Sequence, residues 1–385
     1  MLGRRIESSS YCKGKQLKLL ITGGAGFIGS SMIRQCLARM PYHILNIDKL
    51  TYASSSKSLK EFESNLNYQF SCTDINDQRS LRTLFTNFKP TVVVHFAAET
   101  HVDRSITRAS DFVQSNIVGT FSLLETASAY FSDLSAEEKQ HFRFLHISTD
   151  EVYGDLGSDG YFLETSPLAP NSPYSATKAS SDLLVNAWYR TYGLPIIITH
   201  CSNNYGPYQF PEKLIPLMIL NALENKALPV YGKGLNIRDW IYVEDHTNAL
   251  LRILERGRIG QTYNIGANSE HSNLEIVYNI CDLIDSLVPH PEQISRRSLV
   301  KFVQDRPGHD FRYAIDNTKV RTEFDWQPNE SFSSGLAKTI KWYIENADGW
   351  CRHILDQSQS KTIFKNREMK DSDVYSNEHS HEQTQ

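Results

Sequence analysis

The feature that most constrains the fold is a glycine-rich segment that directly follows a short apolar stretch. Residues 17–21 (LKLLI) have the composition of a buried strand, and residues 22–29 (TGGAGFIG) follow at once, before a helical stretch that runs to about Arg39. Glycines in such a turn let the backbone bend tightly and approach a diphosphate, whose charge then meets the helix N-terminus. This order predicts the first unit of an α/β fold with a Rossmann-type, doubly wound parallel sheet.

Asp48 indicates which dinucleotide the turn would bind. A second apolar stretch, residues 43–47, ends at this acid, which lies nineteen positions after Gly29. An acid at about this spacing accepts hydrogen bonds from a ribose diol and repels a 2′-phosphate, so it favours NAD over NADP. The alternative is that the turn only connects a strand to a helix.

Later apolar stretches continue the alternation of strands and helices. Further strands are predicted, with helical segments between them, at residues 68–72, 92–96, 142–147 and 194–199. Asp74 and Ile75 are candidates for the adenine edge, although Asp74 could instead cap a helix, as could Asp77. His95, inside a strand, is interpreted as a core histidine rather than a catalyst.

The residues that can carry chemistry are concentrated where the strand at 142–147 ends. Thr149, Asp150 and Glu151 follow this strand, and side chains at the carboxyl end of a parallel strand project into the ligand crevice. Tyr174 and Lys178 lie four residues apart at the start of an amphipathic helix and therefore share one face. A phenol, an ammonium and two carboxyl groups can together carry out proton and hydride chemistry on a sugar. Taken alone, the two acids could instead cap a helix or a turn.

Beyond about residue 200 the alternation weakens, which predicts two domains. We expect a dinucleotide-binding domain over residues 17–200 that carries the catalytic residues, and a smaller substrate lobe over residues 201–352 with segments that return to the sheet. The polar residues 1–16 are expected to form an N-terminal extension, and the polar residues 353–385 a disordered tail. The basic loop around Arg306 is suited to clamping a diphosphate, although it could also be an ordinary Pro-Gly turn.

Composition argues against several other classes of function. The chain has 385 residues and a net charge of −4, with acids and bases interspersed, so no nucleic-acid partner is expected. Its six cysteines show no metal-ligand spacing, which predicts no metal site and indicates reduced thiols in the cytoplasm. No apolar run approaches the roughly 18 residues of a membrane span.

Together these motifs resemble the extended short-chain dehydrogenase/reductase superfamily and, within it, the family of dTDP-glucose 4,6-dehydratases. The resemblance runs from about Lys18 to Trp350. It is carried by the glycine turn, the acids after Thr149, the Tyr174 and Lys178 pair, and the segments 48–51, 202–207, 211–216, 238–240 and 305–309. The adjacent acids separate these dehydratases from related sugar-nucleotide epimerases, which generally lack them.

The resemblance implies a division of labour among the catalytic residues. Tyr174, assisted by Lys178, would take the proton of the C4 hydroxyl while C4 gives a hydride to NAD. Glu151 would remove the C5 proton and Asp150 would protonate the departing C6 hydroxyl, after which the hydride returns to C6. Thr149 would hydrogen-bond the C4 oxygen. Lys178 is expected to favour the phenolate, and repulsion between the adjacent carboxyls is expected to keep one of them protonated.

Contacts with NAD and with the nucleotide sugar are implied over much of the chain. The NAD-binding set comprises Tyr174, Lys178, Gly23, Gly26, Phe27, Ile28, Gly29, Asp48, Lys49, Leu50, Thr51, Asp74, Ile75, Phe96, Ala97, Ala98, Glu99, Thr100, Ser115 and Asn204. The substrate-binding set comprises Thr100, Thr149, Asn203, Lys213, Leu214, Ile215, Pro216, Leu217, Met218, Pro229, Val230, Tyr231, Arg238, Asn273, Asp305, Arg306, Pro307, Gly308 and His309.

Alternatives remain for the reaction and its substrate. UDP-glucose differs from dTDP-glucose only in a uracil base and a ribose 2′-hydroxyl, and a nucleotide-sugar 4-epimerase or decarboxylase shares the Tyr/Lys pair. A non-catalytic NAD-binding protein would have no need for all four of Asp150, Glu151, Tyr174 and Lys178. Apolar excess on the helices near residues 112–130 and 174–192, together with the resemblance, predicts a homodimer packed as a four-helix bundle.

The position of Asp48 generates a prediction about the cofactor. NAD(H) is expected to co-purify with the protein and to bind far better than NADP(H), because the carboxylate binds the ribose diol and repels a 2′-phosphate. A titration with each dinucleotide measures this preference. Equal affinity for the two would remove the role assigned to Asp48.

Overall fold

A computed structural model describes residues 17–39 and 42–355 of the chain. The N-terminal extension predicted at residues 1–16 lies outside the described residues, and so does the predicted tail from residue 356 onwards.

The strands include all those that the sequence predicted, with ends shifted by a few residues. Their bounds are β1 Lys18–Thr22, β2 His43–Asp48, β3 Tyr68–Cys72, β4 Val92–His95, β5 Arg143–Thr149, β6 Ile196–Cys201, β7 Asn203–Tyr205, β8 Leu228–Tyr231, β9 Ile237–Tyr242, β10 Thr262–Ile265, β11 Glu270–Ser272 and β12 Val300–Val303.

The helices between them follow the expected alternation as far as β6. The α-helices are α1 Phe27–Arg39, α2 Gln78–Phe88, α3 Val102–Thr107, α4 Ala109–Phe112, α5 Gly119–Asp133, α6 Ala136–His141, α7 Pro173–Tyr192, α8 Leu214–Leu223, α9 Val243–Arg256, α10 Asn273–Leu287, α11 Thr318–Phe324 and α12 Phe332–Asn346. Short 3₁₀ segments occur at Ser56–Phe62, Asp150–Tyr153 and Arg296–Leu299, and π-helical segments at Val113–Val118 and Ala347–Cys351.

A seven-stranded sheet organises the first part of the chain. Its strand order is β10-β6-β5-β4-β1-β2-β3, and every neighbouring pair is parallel. The order reverses between β1 and β4, which is the switch point at which doubly wound sheets bind ligands outside the carboxyl ends of their strands. The predicted Rossmann-type fold is confirmed.

The alternation of side chains along each strand divides the apolar residues between the two faces of this sheet. Leu19 and Ile21 of β1 pack in one core with α1, α9 and α11, whereas Leu20 packs in another core with α2, α5 and α7. Because both faces are covered by helices, the strands read as continuous apolar runs in the sequence.

A third core lies under the later part of the chain. It joins α8, α10 and α12 to the small strands β7, β8 and β9, with Trp240, Ile280 and Tyr343 among its buried members. Here β7, β9 and β11 form one sheet, and β8 and β12 form another. Two segments of the later chain return to the large sheet: β10 pairs with β6, and α9 covers one face beside α1.

The helices within residues 17–39 and 42–355 were also considered as membrane spans. None of them has both the length and the apolar character that crossing a bilayer requires.

Two glycines with similar backbone conformations provide a matched test of how tightly β1 and β4 approach. Gly23 has φ +72° and Gly193 has φ +70°. A Cβ at position 23 would lie 2.6 Å from the backbone nitrogen of Ala97, whereas a Cβ at position 193 would meet no atom within 4 Å. We expect Gly193→Ala to lower the free energy of unfolding by about 1–2 kcal/mol, the cost of a left-handed backbone. Gly23→Ala should lower the free energy of unfolding by clearly more, because backbone must move to make room for the new Cβ.

Urea unfolding of the two variants measures the difference. Equal losses would mean that the turn after β1 has room for a side chain.

Candidate active site

The glycine turn closes tightly over the end of β1. The amide of Gly23 donates to the carbonyl of Ile47 at 2.8 Å, and the amide of Gly26 donates to the carbonyl of Gly23 at 3.1 Å. A Cβ on Gly29 would lie 2.5 Å from the same Gly23 carbonyl oxygen. The first turn of α1 is therefore packed directly on the glycine turn, and Phe27, Ile28 and Gly29 line the cavity above the sheet.

Asp48 ends β2 beside this turn and has one acceptor position left. Its Oδ2 accepts the amide of Ala25 at 3.0 Å, and its Oδ1 accepts the amide of Leu50 at 2.8 Å and the hydroxyl of Ser54 at 3.1 Å. Burial raises the pKa of this carboxyl, while the bonds from the two amides and from Ser54 lower it. A carboxylate oxygen accepts two hydrogen bonds, so Oδ2 can still accept a ribose hydroxyl.

One cavity runs from the glycine turn to the end of β5. Of the predicted NAD-binding set, every residue except Leu50 and Asp74 lines it. The predicted catalytic residues Thr149, Asp150 and Glu151 line the same cavity, as do Asn203 and Lys213 of the predicted substrate set. The structure thus brings the candidate cofactor residues and the candidate catalytic residues together.

The two exceptions lie close by. The amide of Leu50 binds Asp48, and Leu50 itself has φ 53°. Asp74 lines an adjoining cavity and accepts the amide of Asn76 at 2.9 Å, while Asp77 caps α2 by accepting the amide of Ser80 at 3.1 Å. Of the two acids that the sequence offered as helix caps, Asp77 is therefore the one that caps α2. The contact of Asp74 with adenine stays a prediction.

Most of the predicted substrate set lies outside this cavity. The side chains of Ile215, Met218 and Val230 are buried in the third core. The residues that do not line the cavity are Leu214, Ile215, Pro216, Leu217, Met218, Pro229, Val230, Tyr231, Arg238, Asn273, Asp305, Arg306, Pro307, Gly308 and His309. Their contacts with a nucleotide stay predictions.

Arg306 and Tyr231 of this set converge on one carboxylate. Arg306 donates from Nη1 to Asp103 Oδ1 at 3.2 Å, and the phenol of Tyr231 donates to Asp103 Oδ2 at 3.0 Å. The loop that carries Arg306 is therefore tied to α3, and Nε of Arg306 has no hydrogen-bond partner among the described residues.

Asp150 is buried where its charge cannot be solvated. The side chain is 1% exposed, and its Oδ2 has no hydrogen-bond partner among the described residues. Burial raises the pKa of Asp150 well above its ordinary value, and the neighbouring Glu151 raises it further. This direction agrees with the expectation that one of the two acids is protonated, and the expectation stays a prediction.

Glu151 differs from Asp150 in the charges around it. Burial raises its pKa, but the cationic side chains of Arg306, Arg238 and Lys213 act in the opposite direction. Arg238 is held by the carbonyls of residues 237, 310 and 311, with the Asp310 oxygen at 2.9 Å. The pKa of Glu151 still lies above its ordinary value, so these cations from the later part of the chain offset only part of the effect of burial.

The environment of Tyr174 departs from what the sequence suggested. Burial raises the pKa of this phenol well above its ordinary value, and Glu151 raises it further. Lys178 turns its ammonium to the carbonyl of Ile147, at 2.9 Å, and burial lowers its pKa. The expected effect of Lys178 on the phenol stays a prediction. Thr149 is a hydrogen-bond partner of Tyr174 and acts to lower the pKa of the phenol.

Sequence reasoning missed a contact that covers the cavity. The phenol of Tyr52 donates to Glu212 Oε1 at 2.9 Å, and the guanidinium of Arg104 lies 3.6 Å from the centre of the Tyr52 ring. The Tyr52 ring also meets Phe210 edge-on, with centroids 5.4 Å apart. Lys213 donates to the carbonyl of Thr100 at 2.7 Å. Only the adjacent charges of Glu212 and Lys213 gave any signal in the sequence.

The residues present fit a bound NAD. A side chain at Gly23 or Gly29 would collide with backbone, the first residues of α1 line the cavity, and Asp48 retains an acceptor for a ribose hydroxyl. The cavity then continues to Tyr174 and Lys178, where a nicotinamide and a sugar would meet.

Comparisons with known proteins agree with this geometry. A family model described as GDP-mannose 4,6 dehydratase matches residues 20–339. The chain is 56% identical over 344 residues to the dTDP-glucose 4,6-dehydratase of Neisseria meningitidis, which spans 89% of this chain and 97% of that protein. It is 52% identical over 361 residues to the dTDP-glucose 4,6-dehydratase of Salmonella typhimurium, which spans 91% of this chain and 99% of that protein.

A solved structure gives the same result. The dTDP-glucose 4,6-dehydratase DesIV of Streptomyces venezuelae, solved with NAD and TDP bound, superimposes with a TM-score of 0.79 at 43% identity. The match covers 87% of this chain and 99% of that one.

Proposed function

Because this chain belongs to the GDP-mannose 4,6-dehydratase family, we infer that it is an NAD-dependent hydro-lyase acting on a nucleotide sugar. Its substrate is dTDP-glucose, as the names of relatives 52–56% identical to it indicate, and its products are dTDP-4-dehydro-6-deoxyglucose and water. The observation that carries the proposal is the meeting of Asp150 and Glu151 with Tyr174 and Lys178 in one cavity that begins at the glycine turn.

The reaction starts at the C4 hydroxyl. Tyr174 is the group that takes the hydroxyl proton, with Thr149 holding the C4 oxygen against the phenol. Lys178 assists from one turn further along α7. When bound, NAD accepts the hydride from C4 and later returns it to C6. Burial raises the pKa of Tyr174 well above its ordinary value, so the proposal requires the positive charge of Lys178 to favour the phenolate that accepts the proton.

Loss of water needs one acid and one base. Glu151, favoured in its ionised form by Arg306, Arg238 and Lys213, removes the C5 proton, which the C4 ketone has made acidic. Asp150, buried and protonated, gives its proton to the C6 hydroxyl so that it leaves as water. Two neighbouring carboxyls whose pKa values are set apart by their surroundings can thus act at the same time in opposite roles.

We propose that residues 17–200 hold NAD and the catalytic groups, while residues 201–352 hold the nucleotide and supply charge. Residues 201–352 contribute Arg238, Arg306 and Lys213, all of which act on Glu151. This supports a shared site rather than two independent domains.

A homodimer is also proposed, formed through α5 and α7. Phe121 of α5 contacts Trp188 of α7, with ring centroids 5.8 Å apart. Phe121 is 39% exposed, and on α7 Leu183 is 62% exposed and Tyr192 is 59% exposed. Two such helix pairs would cover each other as a four-helix bundle.

A cytoplasmic location is proposed from the cysteines. Cys36, Cys72, Cys201, Cys281 and Cys351 are all free thiols. Free thiols are typical of proteins in a reducing compartment.

Product analysis and variants of three residues test the chemistry together. With dTDP-glucose the unaltered protein should yield a product lighter by one water. Tyr174→Phe removes the proton acceptor, so little NADH should accumulate on mixing with substrate. Glu151→Gln should stop exchange of the C5 hydrogen with deuterated solvent, whereas Asp150→Asn should permit that exchange and slow the loss of water. Each variant should lose about 10²–10⁴-fold in rate.

Stopped-flow absorbance follows NADH, and mass spectrometry follows both exchange and water loss. Normal C5 exchange in Glu151→Gln would assign the base to another residue. Turnover of UDP-glucose in preference to dTDP-glucose would correct the nucleotide.

The proposed dimer predicts a specific sensitivity to charge on α7. Leu183→Lys places an ammonium in the apolar face and should convert the dimer to a monomer, because a buried unpaired charge is costly. Leu66→Lys is the control, since Leu66 is 94% exposed on another surface. Light scattering at micromolar concentration measures the mass. A monomer mass for the unaltered protein would contradict the proposal.

A further inference from the structure

A buried polar cluster lies behind Lys178 and takes no part in the chemistry described so far. Its centre is Asp182, one helical turn after Lys178 on α7 and 2% exposed. Oδ2 of Asp182 accepts the hydroxyl of Ser148 at 2.9 Å and Nε2 of His200 at 3.0 Å. Oδ1 lies 3.2 Å from Nε2 of His146. Burying a carboxylate in this way costs free energy unless hydrogen bonds or an opposite charge compensate for it.

Asp182 and Lys178 hold α7 to β5 at two successive residues. The ammonium of Lys178 donates to the carbonyl of Ile147, and the carboxylate of Asp182 accepts from Ser148, the next residue. The residue after that is Thr149, at the start of the catalytic stretch. The two contacts therefore fix the catalytic helix against the strand that ends in the acids.

Asp182 is also the charged group that faces the buried ammonium. The other titratable groups that act on Lys178 are Cys201 of β6, His146 of β5 and His95 of β4. Burial raises the pKa of Cys201 to about 12 and lowers the pKa of His146 to about 4. Burial lowers the pKa of His95 well below its ordinary value. All three are thus neutral near neutral pH.

The surroundings keep Asp182 itself ionised. Burial acts to raise its pKa, but the contacts from His146 and His200 outweigh burial and lower the pKa below its ordinary value. Nδ1 of His200 lies 2.6 Å from the phenol of Tyr153, which orients that ring. The negative charge is therefore held in place by hydrogen-bonding partners on β5 and β6.

We propose that Asp182 is a positioning residue for the reaction, which keeps Lys178 in its ammonium form and locks α7 onto the end of β5. The inference rests on the proposed function, because Lys178 assists Tyr174 there. Lys178 can assist only while it is protonated, so activity falls as pH rises through its pKa. The nearby negative charge of Asp182 raises that pKa.

The test is the pH dependence of kcat for Asp182→Asn, with Ser148→Ala as the matched control. Asp182→Asn removes the charge and keeps the shape, so the alkaline limb of the profile should move to lower pH by roughly one unit, the size that one nearby opposite charge produces. Ser148→Ala removes a hydrogen bond to the carboxylate and keeps its charge, so its alkaline limb should stay where it is. A limb that does not move in Asp182→Asn overturns the proposal.

A second measurement decides the matter if Asp182→Asn does not fold. The double variant Asp182→Asn with Lys178→Met leaves neither charge, so it should fold although Asp182→Asn alone does not. A double variant that also fails to fold overturns the proposal. Absence of any product from the unaltered protein would instead contradict the proposed function, so the two failures are distinguishable.

Discussion

Three ionisable groups near the end of β5 are removed from water, and the rest of the site depends on that constraint. Asp150, Tyr174 and Lys178 are all at most 7% exposed. Without solvent, the protonation of each group is set by its neighbours, and burial favours the neutral form. The neutral form is useful for Asp150, which acts as an acid, but it is unfavourable for Lys178. The protein therefore has to supply countercharges at defined positions.

Those countercharges come from two different parts of the chain. Asp182, on the catalytic helix itself, faces Lys178, whereas Arg238 and Arg306, from the later lobe, face Glu151. Because Arg306 also binds Asp103 on α3, its position depends on how the later lobe is seated on the sheet. The ionisation of Glu151 is thereby coupled to the part of the chain that would hold the nucleotide.

The sequence predicted what local patterns encode and missed what depends on long-range packing. Strand β1, the glycine turn and α7 were predicted because apolar runs, glycine spacing and an amphipathic period are local signals. Strand β10, at Thr262–Ile265, was not recognised, since its sequence TYNI lacks the continuous apolar run that marks β4. The contact of Tyr52 with Glu212 and the cluster around Asp182 were missed because they join distant parts of the sequence. The direction of the Tyr174 pKa shift required knowing that the phenol is buried.

The contacts beside the cavity can be related to the reaction inside it. A reaction that takes a hydride from C4 and returns it to C6 is complete only if the same NAD stays bound throughout. Tyr52, from the segment after Asp48, binds Glu212 across the cavity, and Lys213 binds Thr100 at the end of β4. These bonds join the segment that would hold the ribose to the segment that faces Glu151. We expect these bonds to oppose loss of NAD between the two hydride transfers, because Thr100, Glu212 and Lys213 line the cavity that would hold the cofactor.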